Sequence, residues 1–394
     1  MGLGFAIIIG MVLWAIVDLV LGARKRRNSL SISRHSTTEK IDFIADGEDF
    51  FEMLLKDVDA AERHIHMMFY IFRDDETGLR VIDHLCEKAS QGVRVIVLAD
   101  LAGSHGLKKK TIQRMTASGV RFSYSRKIYF PRIFTTLNER NHRKITIIDG
   151  KIGYIGGFNA GNEYAGKDPK FGYWRDYHLR VIGEAVNDLQ HQFLVDWQAE
   201  NEVIDDHIYT PLPTGNHASV KFHITNGSGG EESFSSYIDG ATSSIVIGTP
   251  YYIPGRMVQN SLLNAIKRGV SVILILPMKA DHPLVKEASF HYLVELIQAG
   301  GKVYQYMNGF YHAKVMIIDD RICDIGTANF DQRSFHINGE INCILECPEV
   351  LKTIKKVIKM DLLQSERLDL DRLKKRTIGN RLLDPIARLL SPFL

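Results

Sequence analysis

Cysteine is scarce in this sequence. Its four residues, Cys86, Cys323, Cys343 and Cys347, form no C-x-x-C pair, which excludes a disulfide framework and leaves no spacing for a structural zinc site. Proline is also scarce, 11 residues against 32 glycines, which favours sheets with tight turns over a proline-rich scaffold. Charge of one sign is missing: 49 basic and 46 acidic residues leave a formal +3, so the whole chain carries no strong bias toward polyanions. No H-E-x-x-H or EF-hand pattern occurs, and a mechanism without metal or cofactor is expected. Residues 161–168 miss a phosphate-binding loop by one position, because Asp168 stands where a magnesium-binding Ser or Thr belongs. Asp74-Asp75-Glu76 reads as a helix cap rather than a metal site. A hydrophobic content of 45% with 24% charged residues excludes disorder and a many-span transporter, and 394 residues suggest two to three folding units.

One stretch departs from that average. From Gly2 to Gly22 the only charge is Asp18, and about 20 apolar residues is the length that crosses a bilayer core of roughly 30 Å. The basic cluster Arg24-Lys25-Arg26-Arg27 follows the run instead of preceding it. This order predicts an uncleaved single-pass anchor in the cell membrane, with everything after Arg24 cytoplasmic. The sequon Asn226-Gly227-Ser228 then carries no meaning. All 49 basic residues and all but one of the 46 acidic ones lie outside the apolar run, leaving a mildly basic remainder suited to an anionic membrane surface.

The remainder repeats itself at an offset of about 180 residues, far from solenoid periods. His64-Ile-His-Met-Met-Phe-Tyr-Ile-Phe72 is echoed by Val246-Ile-Gly-Thr-Pro-Tyr-Tyr-Ile-Pro254, and Gly92-Val-Arg-Val-Ile-Val-Leu98 by Gly269-Val-Ser-Val-Ile-Leu-Ile275. Short β-branched runs alternate with helical patterns, which predicts an α/β fold. The expected fold is two similar halves, each a mixed, mostly parallel sheet flanked by helices, related by a pseudo-twofold axis. Strands are expected near 64–70, 93–99, 144–148, 152–155 and 178–181. Helices are expected near 49–60, 77–90, 185–201, 257–268 and 283–299. The partition follows: anchor 1–23, basic juxtamembrane linker 24–40, first half 41–205, linker 206–219, and second half 220–394 with C-terminal helices. In the last of these, residues 381–390 read as an interfacial amphipathic helix or, slightly favoured, a helix packed on the domain.

The repeat is tightest at Asn141-His142-Arg-Lys144-Ile-Thr-Ile-Ile-Asp149 and Tyr311-His312-Ala-Lys314-Val-Met-Ile-Ile-Asp319. Each is followed by G-x2-N, ending at Asn159 and Asn329, so both copies read H-x-K-x4-D-x6-G-x2-N. A lone H-x-K-x4-D arises by chance in roughly one chain in twenty, but two copies at matching points of a repeat do not. Residues i and i+2 of a strand share a face, so His and Lys project together. The paired half-sites would supply two imidazoles, two ammoniums and two amides. These suit a phosphodiester: Lys144, Lys314, Asn159 and Asn329 hold non-bridging oxygens, one histidine attacks phosphorus, and the other protonates the leaving oxygen. Asp176 and Glu340 align at the next strand of each half, each positioned to orient its own half's histidine. His64, His66, His105 and His191 read as packed or surface residues. Lys127-Ile-Tyr-Phe-Pro-Arg-Ile-Phe134 interleaves aromatic and basic residues, and both a buried connector and a membrane-contacting lip remain open for it.

These motifs resemble the phospholipase D superfamily, whose members carry two H-K-D motifs around one active site. Within it the chain is most similar to bacterial cardiolipin synthases from about Lys40 onward. The similar stretches include Tyr70-Ile-Phe-Arg-Asp-Asp75, Gly156-Gly-Phe-Asn-Ala-Gly-Asn-Glu-Tyr164, Trp174-Arg-Asp176 and Gly326-Thr-Ala-Asn-Phe-Asp-Gln-Arg-Ser-Phe335. Many members begin with two membrane spans, where this chain has one. The resemblance implies catalytic His142, Lys144, Asp149, His312, Lys314 and Asp319, with His142 as nucleophile and His312 as acid and then base, an order that sequence symmetry would let reverse. It further implies phosphatidylglycerol as substrate, cardiolipin and glycerol as products, and no nucleotide. A hydrolase releasing phosphatidic acid is the main alternative. The anchor and mild charge argue against a nuclease, so no nucleic-acid partner is expected. Two complete half-sites argue against an inactive scaffold.

Overall fold

The computed structural model describes the chain apart from residues 1, 30, 205–217, 280, 282–283, 376–382, 386, 388–390 and 392–394. The apolar run is a helix, α1 (Gly2–Arg27), with all four of its last-turn residues basic. Its segment Ile7–Arg27 has a mean hydropathy of 2.1 and is long and apolar enough to cross a membrane. Phe5, Ile8, Val12 and Ile16 are exposed along it.

The first half then runs β1 (Ile32–Thr38), β2 (Lys40–Ile44), α2 (Gly47–Asp59), β3 (His64–Phe69), α3 (Glu76–Ser90), β4 (Arg94–Asp100) and α4 (Lys109–Ala117). It continues through β5 (Arg121–Ser125), α5 (Ile133–Asn138), β6 (Ile145–Ile148), β7 (Ile152–Gly156), β8 (Trp174–Arg175), β9 (His178–Ile182) and α6 (Ala185–Gln198). The second half comprises β10 (Ala218–Asn226), α7 (Gly230–Asp239), β11 (Ser244–Gly248), α8 (Gly255–Lys267), β12 (Ser271–Pro277), α9 (Val285–Gln298), β13 (Lys302–Tyr306) and β14 (Phe310–Tyr311). After these come β15 (Val315–Ile318), β16 (Ile322–Gly326), α10 (Gln332–His336), β17 (Gly339–Leu345), α11 (Pro348–Leu363), β18 (Ser365–Leu368) and α12 (Leu370–Lys374).

The duplication is visible in the topology. One sheet has the order β2-β9-β7-β6-β3-β4-β5; the other has β10-β17-β16-β15-β11-β12-β13, with β1 and β18 added at its edges. The sheets are mixed, but they are not mostly parallel. Only β3–β4 and β4–β5 in the first sheet, and β11–β12 and β12–β13 in the second, are parallel pairs. The reason is connection length. After β6 only residues 149–151 intervene before β7, which permits a hairpin, whereas a parallel return needs a dozen or more residues.

Both faces of each sheet are covered, which explains the unbroken apolar runs of the motif strands. Ile145 and Ile147 of β6 share one core with Val315 and Ile317 of β15, Phe193 of α6 and Ile354 of α11. The outer face of the first sheet packs under Phe50, Leu54 and Val81, and that of the second under Val258, Leu262 and Leu296. The halves therefore share a central core and have one outer core each.

The expected juxtamembrane linker is only partly a linker. Residues 32–38 form β1 and pair antiparallel with β10, from Ile32 opposite Ile224 to Thr38 opposite Ala218, covering what would be an open sheet edge. β2 then belongs to the other sheet, so the chain leaving α1 ties both halves together. The expected linker 206–219 and the run 381–390 lie largely outside the described residues. The segment 127–134 is not a buried connector, since Phe130 is 82% exposed beside exposed Ile128 and Tyr129.

Candidate active site

Each motif histidine sits just before its strand, where the backbone crosses to the opposite half. His142 N–H donates to Gly339 O at 2.9 Å, and His312 N–H donates to Arg175 O at 2.7 Å. β14 pairs with β8 in register Phe310 to Trp174 and Tyr311 to Arg175, while Asn141 bridges Gly339. Those registers carry each histidine to the next residue of the other half: Glu340 after Gly339, and Asp176 after Arg175. His142 Nδ1 lies 2.9 Å from Glu340 Oε2, and His312 Nδ1 lies 2.5 Å from Asp176 Oδ2. The carboxylates thus orient the histidines, but across the halves and not within them. Alignment of the repeats could not reveal this, because local sequence is alike in both halves and only the approach of the sheets decides the partner.

The glycines next to the motif strands make room for this. A Cβ at Gly157 would collide with the Asp176 carboxylate. At the matching position in the second half Thr327 donates its hydroxyl to Glu340 Oε2 at 2.6 Å. Asn159 and Asn329 line the same cavity of about 800 Å³ as both histidines, together with Arg140 and Arg333. The Asn159 side chain accepts from Ile71 N–H at 3.0 Å, and Asn329 Nδ2 donates to Asp331 at 3.1 Å.

Both motif lysines are fully buried beside their histidines. Lys144 Nζ donates to His142 O at 2.8 Å, and Lys314 Nζ lies 3.1 Å from His312 Nε2. Burial lowers Lys144 to about 7, against the pull of Glu340, and lowers Lys314 to about 8, against Asp176. Burial also lowers both imidazoles. His312 falls to about 4, with Lys314 adding to the effect, while Glu340 limits the drop at His142. For Asp176 and Glu340 burial acts upward, but the cations around them win and hold both below the usual carboxylate range. An ionised carboxylate only accepts, so each Nδ1 carries a proton toward its carboxylate and each Nε2 is left for the chemistry.

Of the six expected catalytic residues only the two histidines line this cavity; the lysines are buried directly beside them, and the two aspartates lie further off. Asp149 lies at the far end of β6, where its carboxylate accepts from the N–H groups of Glu62, Arg63 and His64 at 2.9, 2.7 and 2.9 Å. Asp319 does the same for Thr242, Ser243 and Ser244 at 2.8, 2.7 and 2.9 Å. The physical reason is strand length. The four residues of β6 or β15 separate Lys from Asp, which at about 3.3 Å per residue puts them more than 10 Å apart.

Other residues belong to the site without having been singled out. Arg143 is fully buried and spans the halves, donating to Asp196 at 2.9 and 3.0 Å, to Thr225 O at 2.6 Å and to Glu340 O at 3.2 Å. Arg140 pairs with buried Asp100 at 3.3 Å. Tyr70 meets the His142 ring edge-on at 4.9 Å, and Trp174 flanks His312 at 4.8 Å. Their only sequence signal was membership of the stretches Tyr70–Asp75 and Trp174–Asp176 or a place in or beside the His142 motif. His64 and His66 are packed, the latter stacked on Phe193 at 4.8 Å, and His105 is on the surface. Asp75 caps α3, accepting from Gly78 N–H at 3.0 Å. Among the described residues no three His, Cys, Asp or Glu side chains converge as a metal site.

Residues 54–168 and 234–362 match the family described as cardiolipin synthase, PLD-like domain. The chain is 41% identical over 381 residues to the minor cardiolipin synthase ClsB of Bacillus subtilis, covering 96% of each chain. It is 40% identical over 369 residues to the major cardiolipin synthase ClsA of the same organism, covering 90% of this chain and 75% of that one. Among solved structures, phosphatidylserine synthase of Haemophilus influenzae superposes with a TM-score of 0.69 at 17% identity, covering 94% of this chain and 96% of that one, which bears on the fold alone. With duplicated half-sites meeting in one cavity and similarity over nearly its whole length, the chain belongs to the cardiolipin synthase family of phospholipase D-like enzymes.

Proposed function

We infer that this chain is a phosphatidyltransferase that condenses two phosphatidylglycerol molecules into cardiolipin and glycerol. The observation that carries the reading is the pair of buried histidine–carboxylate contacts, each made across the halves and both opening on one cavity. In the first step His142 Nε2 attacks phosphorus, forming the P–N bond of a phosphatidyl-histidine. The P–O bond to glycerol breaks as His312, entering the step as the imidazolium paired with Asp176, gives its Nε2 proton to the departing oxygen. In the second step His312 takes a proton from the hydroxyl of another phosphatidylglycerol. That oxygen attacks phosphorus, the P–N bond breaks, and cardiolipin leaves. Lys144, Lys314, Asn159 and Asn329 neutralise and hold the non-bridging oxygens. One phosphodiester replaces another, so no nucleotide is consumed. α1 serves as a single-pass membrane anchor, and the basic residues that end it set the catalytic body on the cytoplasmic face.

The purified full-length protein in detergent, given phosphatidylglycerol as the only lipid, should release cardiolipin and glycerol. Phosphatidic acid as the main product would establish a hydrolase instead. Full activity retained by both His142→Ala and His312→Ala would end the shared-site mechanism. One observation favours exchanging the two histidine roles: His312, at about 4, is the more firmly neutral imidazole, the form a nucleophile needs. Mass spectrometry of the lipid adduct separates the assignments. The adduct should form on His142 in the His312→Ala variant, and an adduct on His312 in the His142→Ala variant would reverse the order.

A further inference from the structure

The segment between β5 and β6 climbs alongside α1. Glu139 meets Arg26 at 2.7 Å near the basic end of the helix. Further up, Thr135 N–H donates to Asp18 Oδ2 at 3.0 Å and its hydroxyl donates to Asp18 O at 2.7 Å. Gly22 is where Thr135 seats, because a Cβ there would strike its side chain. Higher still, Trp14 Nε1–H donates to Pro131 O at 3.0 Å, and its ring meets Phe130 and Phe134 at 5.9 and 5.3 Å. From Arg26 to Trp14 the helix rises about 18 Å, so the contacts track half the thickness of a bilayer core.

This contact conflicts with a lip that stays in water. The segment of α1 long and apolar enough to cross a membrane, Ile7–Arg27, includes Trp14, Asp18 and Gly22, the turns that residues 130–135 pack against. With those turns in the bilayer, the segment packed on them lies there too. The segment is built for that environment. Phe130, Ile128, Tyr129 and Leu137 are exposed to 82, 45, 45 and 51%. Asp18, the only charge in the apolar run, is 4% exposed and faces Thr135 instead of lipid. The other end of the segment is fastened to the catalytic cavity. Arg333 donates to the Asn138 side chain and carbonyl at 2.8 Å each, and Arg140 to Arg126 O at 3.2 Å, and both arginines line the cavity.

We propose that residues 127–138 form a lip inserted in the lipid leaflet beside α1, holding the Arg140–Arg333 wall of the catalytic cavity at the membrane surface. The occupant of this face is the bilayer itself, continuous with the lipid that surrounds the anchor, and the proposal rests on α1 being that anchor. Phosphatidylglycerol then reaches the cavity by lateral movement at the headgroup level. Lys127 Nζ donates to Glu200 O at 3.4 Å and the Tyr129 hydroxyl to the Glu200 carboxylate, which keeps their polar ends at the interface beside Arg132, while Phe130 sits among acyl chains.

The test uses the full-length protein in phosphatidylcholine–phosphatidylglycerol nanodiscs. Single environment-sensitive fluorophores are attached at Val12→Cys, Phe130→Cys and Lys109→Cys, with Cys86→Ser and Cys347→Ser removing the half-buried thiols. Lipids brominated on their acyl chains should quench the probes at 12 and 130 at least twofold and leave the one at 109 unchanged. Quenching at 12 but not at 130 overturns the lip and leaves the anchor standing. Quenching at neither overturns the anchor, and the lip with it. Leu137→Cys provides a second reporter on the lip should Phe130→Cys fail to fold.

Discussion

Asp149 and Asp319 each hold three consecutive backbone N–H groups at the start of the neighbouring strand, β3 in one half and β11 in the other. Both occupy the left-handed region, at φ 54° and 51°, where Asp and Asn are tolerated. They set the depth at which the motif strand enters its sheet and so position histidine and lysine from a distance. Asp149→Asn keeps the turn but removes an acceptor from a buried amide. It is expected to lower stability by about 1–3 kcal/mol in denaturant titrations, with kcat per folded molecule within about threefold of the parent. The buried lysines are expected to show in the pH profile. With Lys144 at about 7 and Lys314 at about 8, the cationic forms are lost as pH rises through those values. The neutral form that His142 needs as nucleophile is lost only as pH falls below the ordinary imidazole range, because burial lowers its pKa. A bell-shaped kcat/KM should result, and Lys144→Arg, charged throughout, should move its alkaline limb upward in a steady-state titration. A profile flat from about pH 5 to 9 would contradict this.

At the scale of elements, short pieces do the positioning. β8 and β14, two residues each, form the bridge that brings Asp176 to His312. Such pieces leave no periodicity to read, and α5, with six residues, was equally silent. By contrast α2, α3, α8 and α9 were legible to within about two residues because each carries an amphipathic stripe over three or more turns. Gly157 is the element-scale counterpart of the orienting contact. Gly157→Ala is expected to push Asp176 away from His312 and reduce kcat by about a hundredfold, in line with the cost of an ångström-scale misplacement. Gly106→Ala, which has nothing within 4 Å, should leave kcat unchanged in the same assay. Equal behaviour of the two variants would mean that Asp176 does not need that space.

Across the whole molecule, the halves depend on each other in two ways. Their inner sheet faces form one core, in which Ile147 and Ile317 belong to the same cluster, and each histidine is oriented by the other half's carboxylate. Residues 1–204 or 218–394 produced alone should therefore be insoluble and inactive, because the shared core would face water. Produced together they should recover transfer of phosphatidyl groups, measured as cardiolipin formed. Turnover by either piece alone would refute the shared site.

The amino-acid sequence by itself determined the duplication, the apolar helix, both histidine–lysine pairs, the two carboxylates and the family, since these depend on residue type and spacing. Tertiary structure decided what depends on through-space approach. It paired each histidine with the opposite half's carboxylate, turned most strand neighbours antiparallel, moved both motif aspartates out of the cavity and seated Thr135 on Asp18. A repeated sequence specifies two equivalent half-sites, but the contact between their sheets is not written in either half and is set only when the shared core forms.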